Sequence, residues 1–374
     1  MDSEDSEQKI ITAMSMDSRA GVDKIATETG LLRERVYLIQ KKLVEKYDIK
    51  FVPEINIANL QKYEFLGMGW GKSKREILKI VSSEEAPSIG FEEYIALIDF
   101  KSSEPSNEEI LRAMGDSYIP QYVARTAGQH SLFMYAVARH SSDITEFMYK
   151  FMNNLSKFNS TERLQFIYPT FGYFPFNNKL IEQMRIQSQY KKLLLALNDN
   201  AKVEFTSLTK EFGGVTSATV GSLYARLKEI GLVTRSTICI RKPEELIIKL
   251  FILSIVDRQK FTKNKDKFLL NFVGNQNRHY VFMADIRNPG GLLIIARFKT
   301  PLEEEEFKRG FALIDLGVEI SESTILQSIY GNLGVRNFIS EETVQYKVLQ
   351  SHGLVKIHRR NKPIMKKQKD VIEE

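Results

Sequence analysis

The chain has 374 residues, 43% hydrophobic and 27% charged, as in an ordinary globular protein of about two to four domains. No apolar run reaches the roughly 18 residues of a bilayer span, and the acidic start (Asp2, Glu4, Asp5, Glu7) lacks the basic-then-apolar order of a secretion signal. A single cysteine, Cys239, excludes an internal disulfide and a cysteine metal cage, so a cytoplasmic location is expected, and the net charge of +6 permits nucleic-acid binding.

The first elements are helical. Ile10, Ile11 and Met14 share one helix face, and Val22, Ile25 and Ala26 mark a second helix that Gly30 stops. A third helix is predicted from about Leu32 to Tyr47, with Leu32, Val36, Ile39 and Leu43 on its stripe. The short strand Ile49–Val52 follows. Three helices with a glycine turn before the last, then a strand, form a winged helix-turn-helix pattern. Residues 58–90, with Leu66-Gly67-Met68-Gly69-Trp70-Gly71, have no place in it. Next come a strand Tyr94–Phe100, a helix Asn107–Met114, strands Tyr118–Arg125 and Leu132–Arg139, a helix Ile144–Leu155 and a strand Arg163–Ile167. This is the ferredoxin-like βαββαβ order.

The pattern then returns. Lys9-Ile10-Ile11 reappears as Lys192-Leu193-Leu194, 183 positions on, and Gly30, Val36, Ile39 and Leu43 match Gly214, Val220, Leu223 and Leu227 at 184. Helices are predicted at Tyr190–Leu197 and Phe205–Phe212. A third is capped by Thr216 or Ser217, ends before Gly231 and leads into the strand Ser236–Ile240. A strand Leu246–Val256, a helix Asn264–Phe272, strands Tyr280–Ile286 and Leu292–Phe298, a helix Leu302–Leu316 and a strand Val318–Ile325 complete the second copy. The expected fold class is α+β, with two tandem repeats of a winged helix-turn-helix and a ferredoxin-like unit. The boundaries are 1–57, 58–184, 185–242, 243–340 and a basic extension 341–374. The extension is read as a solvated tail or a phosphate-holding arm.

A winged helix-turn-helix followed by βαββαβ resembles the Lrp/AsnC family of feast/famine regulators. The residues that carry the resemblance are Ile25-Ala26-x-x-x-Gly30-Leu31 with Val36, Ile39 and Leu43, followed by the strand. It extends over both copies, an archaeal-type tandem arrangement in which one chain can form internally the pair that single-copy members form by dimerising. The resemblance implies double-stranded DNA as partner, a dimeric homo-oligomer and a small-molecule effector between the βαββαβ units.

Opposite the buried stripe of the third helix stand Glu34, Tyr37, Leu38 and Lys41, flanked by Arg33. Arg33 and Lys41 suit guanine edges or phosphates, Glu34 suits cytosine, Leu38 a thymine methyl and Tyr37 a phosphate. Arg19 and Lys50 are further phosphate candidates. In copy two the matching face is Ala218, Gly221, Ser222 and Ala225, too small to discriminate bases, although Arg226 and Arg235 keep that unit basic. By the resemblance, an effector would lie at Gly128-Gln129-His130 and at Asn288-Pro289-Gly290-Gly291. A plain hairpin turn is the other reading of each.

No cofactor or metal is expected. The five histidines (130, 140, 279, 352, 358) have no ligand spacing, and no phosphate loop or nucleophile elbow occurs. Phe171, Tyr173, Phe174 and Phe176 suit a patch between domains or a stacking surface. The expected function is a sequence-specific, non-enzymatic transcription regulator. The alternatives are a siroheme-decarboxylating enzyme of the same architecture and an architectural nucleoid protein held by charge.

Overall fold

The computed structural model describes residues 3–55, 91–172, 174–229, 232–240, 247–267, 280–286, 290–298 and 300–331. The whole 58–90 segment, His279, Asn288, Pro289 and the basic extension lie outside them. The fold is α+β.

Helices α1 (Ser3–Met16), α2 (Val22–Thr29) and α3 (Arg33–Tyr47) bury Ile10, Met14, Ile25, Val36 and Leu43 in one small core. Gly30 ends α2 in the left-handed region at φ +68°, where a side chain would be strained. Strand β1 (Ile49–Ile55) follows. It pairs antiparallel with β6 (Val233–Ile240), the corresponding strand of the second half, in a two-stranded sheet.

Strand β2 (Glu92–Phe100), α4 (Asn107–Met114), β3 (Pro120–Thr126), β4 (Leu132–Ala138), α5 (Ser141–Asn154) and β5 (Ser160–Gly172) complete the first half. Helix α4 begins at a reciprocal cap: Ser106 Oγ accepts from the Glu109 amide while Glu109 accepts from the Ser106 amide. The second half opens with α6 (Asn178–Gln183), α7 (Ser188–Asp199), α8 (Phe205–Leu208) and α9 (Ser217–Glu229), followed by β6. It ends with β7 (Ile247–Ile255), α10 (Arg258–Lys267), β8 (Tyr280–Ile286), β9 (Gly291–Phe298), α11 (Pro301–Ile314) and β10 (Val318–Tyr330).

Eight strands close into a barrel in the order β10-β3-β4-β2-β5-β8-β9-β7. Each half supplies four neighbouring strands, and two seams join them, β5 with β8 and β10 with β3. The register repeats as well: Ile95 stands opposite Tyr135 and Gln165, while Leu250 stands opposite Ile295 and Thr324. Closure leaves the barrel without a free edge.

The differences from the sequence expectations have local causes. Strands β5 and β10 run to Gly172 and Tyr330, past the expected ends at 167 and 325, because their last residues pair across the seams. Helix α10 starts at Arg258 rather than Asn264 because Asp257 Oδ1 accepts from the amides of Gln259 and Lys260, both at 3.0 Å. Helix α8 stops at Leu208, short of Phe212, just ahead of the positive φ of Gly213 and Gly214. Helix α6 had no counterpart among the expected elements.

Candidate active site in the barrel lumen

Alternation along each strand sorts its side chains between the outer helices and the lumen. On β2, Ile95 and Leu97 join the central core, whereas Tyr94, Ala96 and Ile98 face α4 and α5. Tyr122, Phe133, Tyr135, Ile252, Phe282, Leu293, Ile295 and Leu326 share that central core. At its middle sits Phe174, 1% exposed, on the link between β5 and α6. It stacks on Tyr135 at 4.2 Å between centroids, with Phe282 at 4.6 Å and Tyr122 at 5.3 Å.

The ionisable groups sit towards the ends of this apolar filling. Glu93 is two residues before Ile95 on β2 and so shares its face, opposite Val137 and Ile167. Tyr135 donates its hydroxyl hydrogen bond to Glu93 Oε1. Burial pushes the Glu93 carboxyl up to about 7, and that phenolic bond only partly opposes the shift. Arg297 stands opposite Ile248, and burial lowers its guanidinium to about 10. Burial also raises the Tyr122 phenol, whose oxygen is 2.7 Å from Ser328 Oγ.

The other end is held by His130. Its Nδ1 lies 2.9 Å from Asp99 Oδ1 and its Nε2 3.2 Å from Glu322 Oε2. The Glu322 hydrogen bond raises the imidazole pKa against burial, and Asp99 adds to it. Glu322 Oε1 and Thr324 Oγ1 are buried without hydrogen-bond partners. The turn carrying His130 is fixed tightly: Ala127 donates to the Ile325 carbonyl at 3.1 Å, and a Cβ on Gly128 would meet Thr324 Oγ1 at 2.6 Å.

Of the residues expected at the effector turns, His130 enters this ionic cluster, Gly128 packs on β10 and Gln129 is exposed. Gly290 has φ +98°, and a Cβ on Gly291 would strike the Leu253 carbonyl, so these glycines let the hairpin close on β7. Asn288 lies outside the described residues. Alternation from Ile95 and Leu97 placed Glu93 and Asp99 on the lumen face, and this signal passed unnoticed in the sequence.

The α3 face is open to solvent. Glu34 and Lys41 are exposed, Tyr37 is 57% and Leu38 64% exposed, and Arg33 pairs with Asp23 at 3.2 Å on the surface. Lys50 is half-buried in β1, and Arg226 pairs with Glu229 at 2.8 Å. Two of the residues expected to serve DNA are engaged within the chain. Arg19 donates to the carbonyls of Ala201 and Val203 and lies 4.3 Å over the Phe205 ring. Arg235 is buried against Glu54 at 2.6 Å, and desolvation lowers it to about 10.

No family model and no curated protein matches this sequence. Solved structures do match. The crystal structure of the siroheme decarboxylase NirDL superposes with a TM-score of 0.52 at 11% identity, covering 93% of this chain and 99% of that one. The same enzyme with an iron-uroporphyrin III analogue gives 0.49 at 12% identity, over 95% and 100%. LrpA, the leucine response regulatory protein of Mycobacterium tuberculosis, gives 0.27 at 13% identity, over 44% of this chain and 91% of its own. The chain therefore has a fold like that of NirDL. This corrects the expectation of a non-enzymatic protein: the structure that matches nearly the whole chain is an enzyme. Among the described residues, no helix is long and apolar enough to cross a membrane.

Proposed function

We propose that this chain is an enzyme that decarboxylates a tetrapyrrole, as a siroheme decarboxylase such as NirDL does, and that it does so in the lumen between its two halves. The observation that carries the reading is the Glu93–Tyr135 pair, a lumen carboxyl poised near neutrality beside a phenol. In a decarboxylation the C–C bond breaks and carbon dioxide leaves. The electron pair left on carbon then takes a proton. A carboxyl at about 7 can give that proton and be recharged from water. Arg297 supplies positive charge for a remaining carboxylate of the substrate, and the rings of Tyr122, Tyr135 and Phe282 supply an apolar wall. Phe174 occupies the centre of this space. It sits on the link between β5 and α6 rather than on a strand, and entry of a substrate requires it to leave this packing.

We read the two halves as tandem copies of one module, a winged helix-turn-helix followed by a ferredoxin-like unit, with the boundaries given above. Siroheme titration tests the proposal. A Soret shift that saturates, with product mass falling by carbon dioxide and turnover lost in Glu93→Gln, is expected. Absence of binding in both wild type and Phe174→Ala would sink it.

A second reading, a DNA-binding regulator, is favoured by one observation. Leu32, Tyr37 and Leu38 stand exposed beside Arg33 and Lys41 on α3, an apolar and basic face that suits a groove of DNA. In this reading the chain pairs with duplex DNA and responds to an effector. Selection from random duplexes, with Arg33→Ala/Lys41→Ala as control, distinguishes it: an enriched motif lost in the variant supports it, and no enrichment removes it.

A further inference from the structure

A groove of about 370 Å³ opens where α3 and β1 meet the α7–α8 connection of the second half. We propose that it binds a small aromatic monocarboxylate, and that the ligand draws in Tyr37 and Lys41 from the exposed face of α3. The site goes beyond the tetrapyrrole reading, since it lies among the helices and outside the lumen.

Several observations fix the ligand class. Lys202 lines the groove half-buried, its ammonium 4.4 Å from the Phe51 ring. No carboxylate of the described residues is within ion-pair distance of it, and burial lowers its pKa against a weaker opposing pull from Asp17. A partly desolvated cation with no carboxylate of the described residues in ion-pair range gains more from an anion than a solvated one does. Gln40 also lines the groove. It is 9% exposed, and its Nε2 is buried with no hydrogen-bond partner. An unmade buried hydrogen bond is costly, and a rotation of the side chain that brings this donor to the groove would let a carboxylate oxygen satisfy it.

Ring and charge follow from the remaining lining. Tyr37 and Phe51 offer aromatic surface for stacking. Glu45 at the exposed rim offsets one of the two lysines, so the lining suits a single negative charge better than a polyphosphate. The volume is near the lower end of ligand sites, about 300–1,000 Å³, which fits one small molecule. A ligand held between Lys41 and Lys202 would take up the Lys41 charge that the regulator reading assigns to DNA.

The test uses the full-length protein with indole-3-acetate as probe and the neutral indole-3-acetamide as control, followed by calorimetry. Saturable one-site binding of the acid is expected. It should weaken about tenfold or more with the amide and in Lys202→Met, which keeps the apolar stem. Lys150→Met, on the far surface of α5, should bind like wild type. Lys41→Met, an exposed change that leaves the fold intact, should also weaken binding and covers the case in which Lys202→Met misfolds. Siroheme binding should be unchanged in both variants, which separates this site from the lumen. No saturable binding, or equal affinity for acid and amide, would overturn the proposal.

Discussion

The Tyr122 hydroxyl lies 2.7 Å from Oγ of Ser328, 206 positions later in the chain. The contact crosses the β10–β3 seam, where Ser328 stands opposite Ala124. Such pairings are the non-local part of the fold. They place groups from both halves around one lumen, and the predictions below act on that lumen or its supports.

Glu93 should set part of the pH dependence of stability. Its carboxyl is raised from 4.5 to about 7, so the folded state holds the proton more tightly than the unfolded chain. That contribution is complete below 4.5 and is lost as pH rises through about 7. At roughly 1.4 kcal/mol per pKa unit, reduced for half-burial, the loss is about 2 kcal/mol. Urea midpoints of wild type should therefore fall between pH 5 and pH 8 relative to those of Glu93→Gln. Parallel curves would refute this assignment.

His130 should titrate above 6.5, because Glu322 and Asp99 favour its charged form. Its stabilisation is fully present below 6.5 and disappears as pH rises through the raised value. His130→Gln should cost about 1–2 kcal/mol at pH 6 and much less at pH 9. Following the imidazole C–H resonance by NMR checks this directly; a midpoint at or below 6.5 contradicts it.

Phe174→Ala should destabilise the protein by about 3–5 kcal/mol, the usual cost of emptying a buried ring site. Phe174→Leu should cost less. Chemical denaturation measures both. A loss below about 1 kcal/mol for the alanine variant would mean that the lumen does not depend on the stacked Tyr135–Phe174 pair.

Arg19→Met should lower the melting temperature by weakening the contact between the helices of the two halves. The variant loses hydrogen bonds to Ala201 and Val203 at 2.5 and 3.1 Å and the cation–π contact with Phe205. A cost of about 1–3 kcal/mol is expected. An unchanged melt would place Arg19 outside the folded contact.

Local signals reported local structure well. The Ser106–Glu109 pattern starts α4, Gly30 stops α2, and Thr216 caps the helix after it by accepting from the Thr219 amide at 3.2 Å. The failures were long-range. Nothing within 168–172 or 326–330 announces a partner strand in the other half, so β5 and β10 were expected too short. Arg19 and Arg235 were expected to serve DNA, yet they are engaged by carbonyls and a carboxylate far away in sequence. Phe174 was visible as part of an aromatic patch. Its place inside a barrel depends on the closure of strands that only the tertiary fold joins.

The matched registers of the halves carry one last consequence. The position of Glu93, opposite Val137, corresponds to Ile248, opposite Arg297, and that of Tyr135 corresponds to Ile295. A symmetric homodimer must bury any acidic side chain twice and meet the desolvation cost at both places. Joining both halves in one polypeptide frees each seat to mutate separately, so an acid can stand at one and a hydrocarbon at the other. The lumen is chemically lopsided, and a bound molecule would be offered one orientation rather than two equivalent ones.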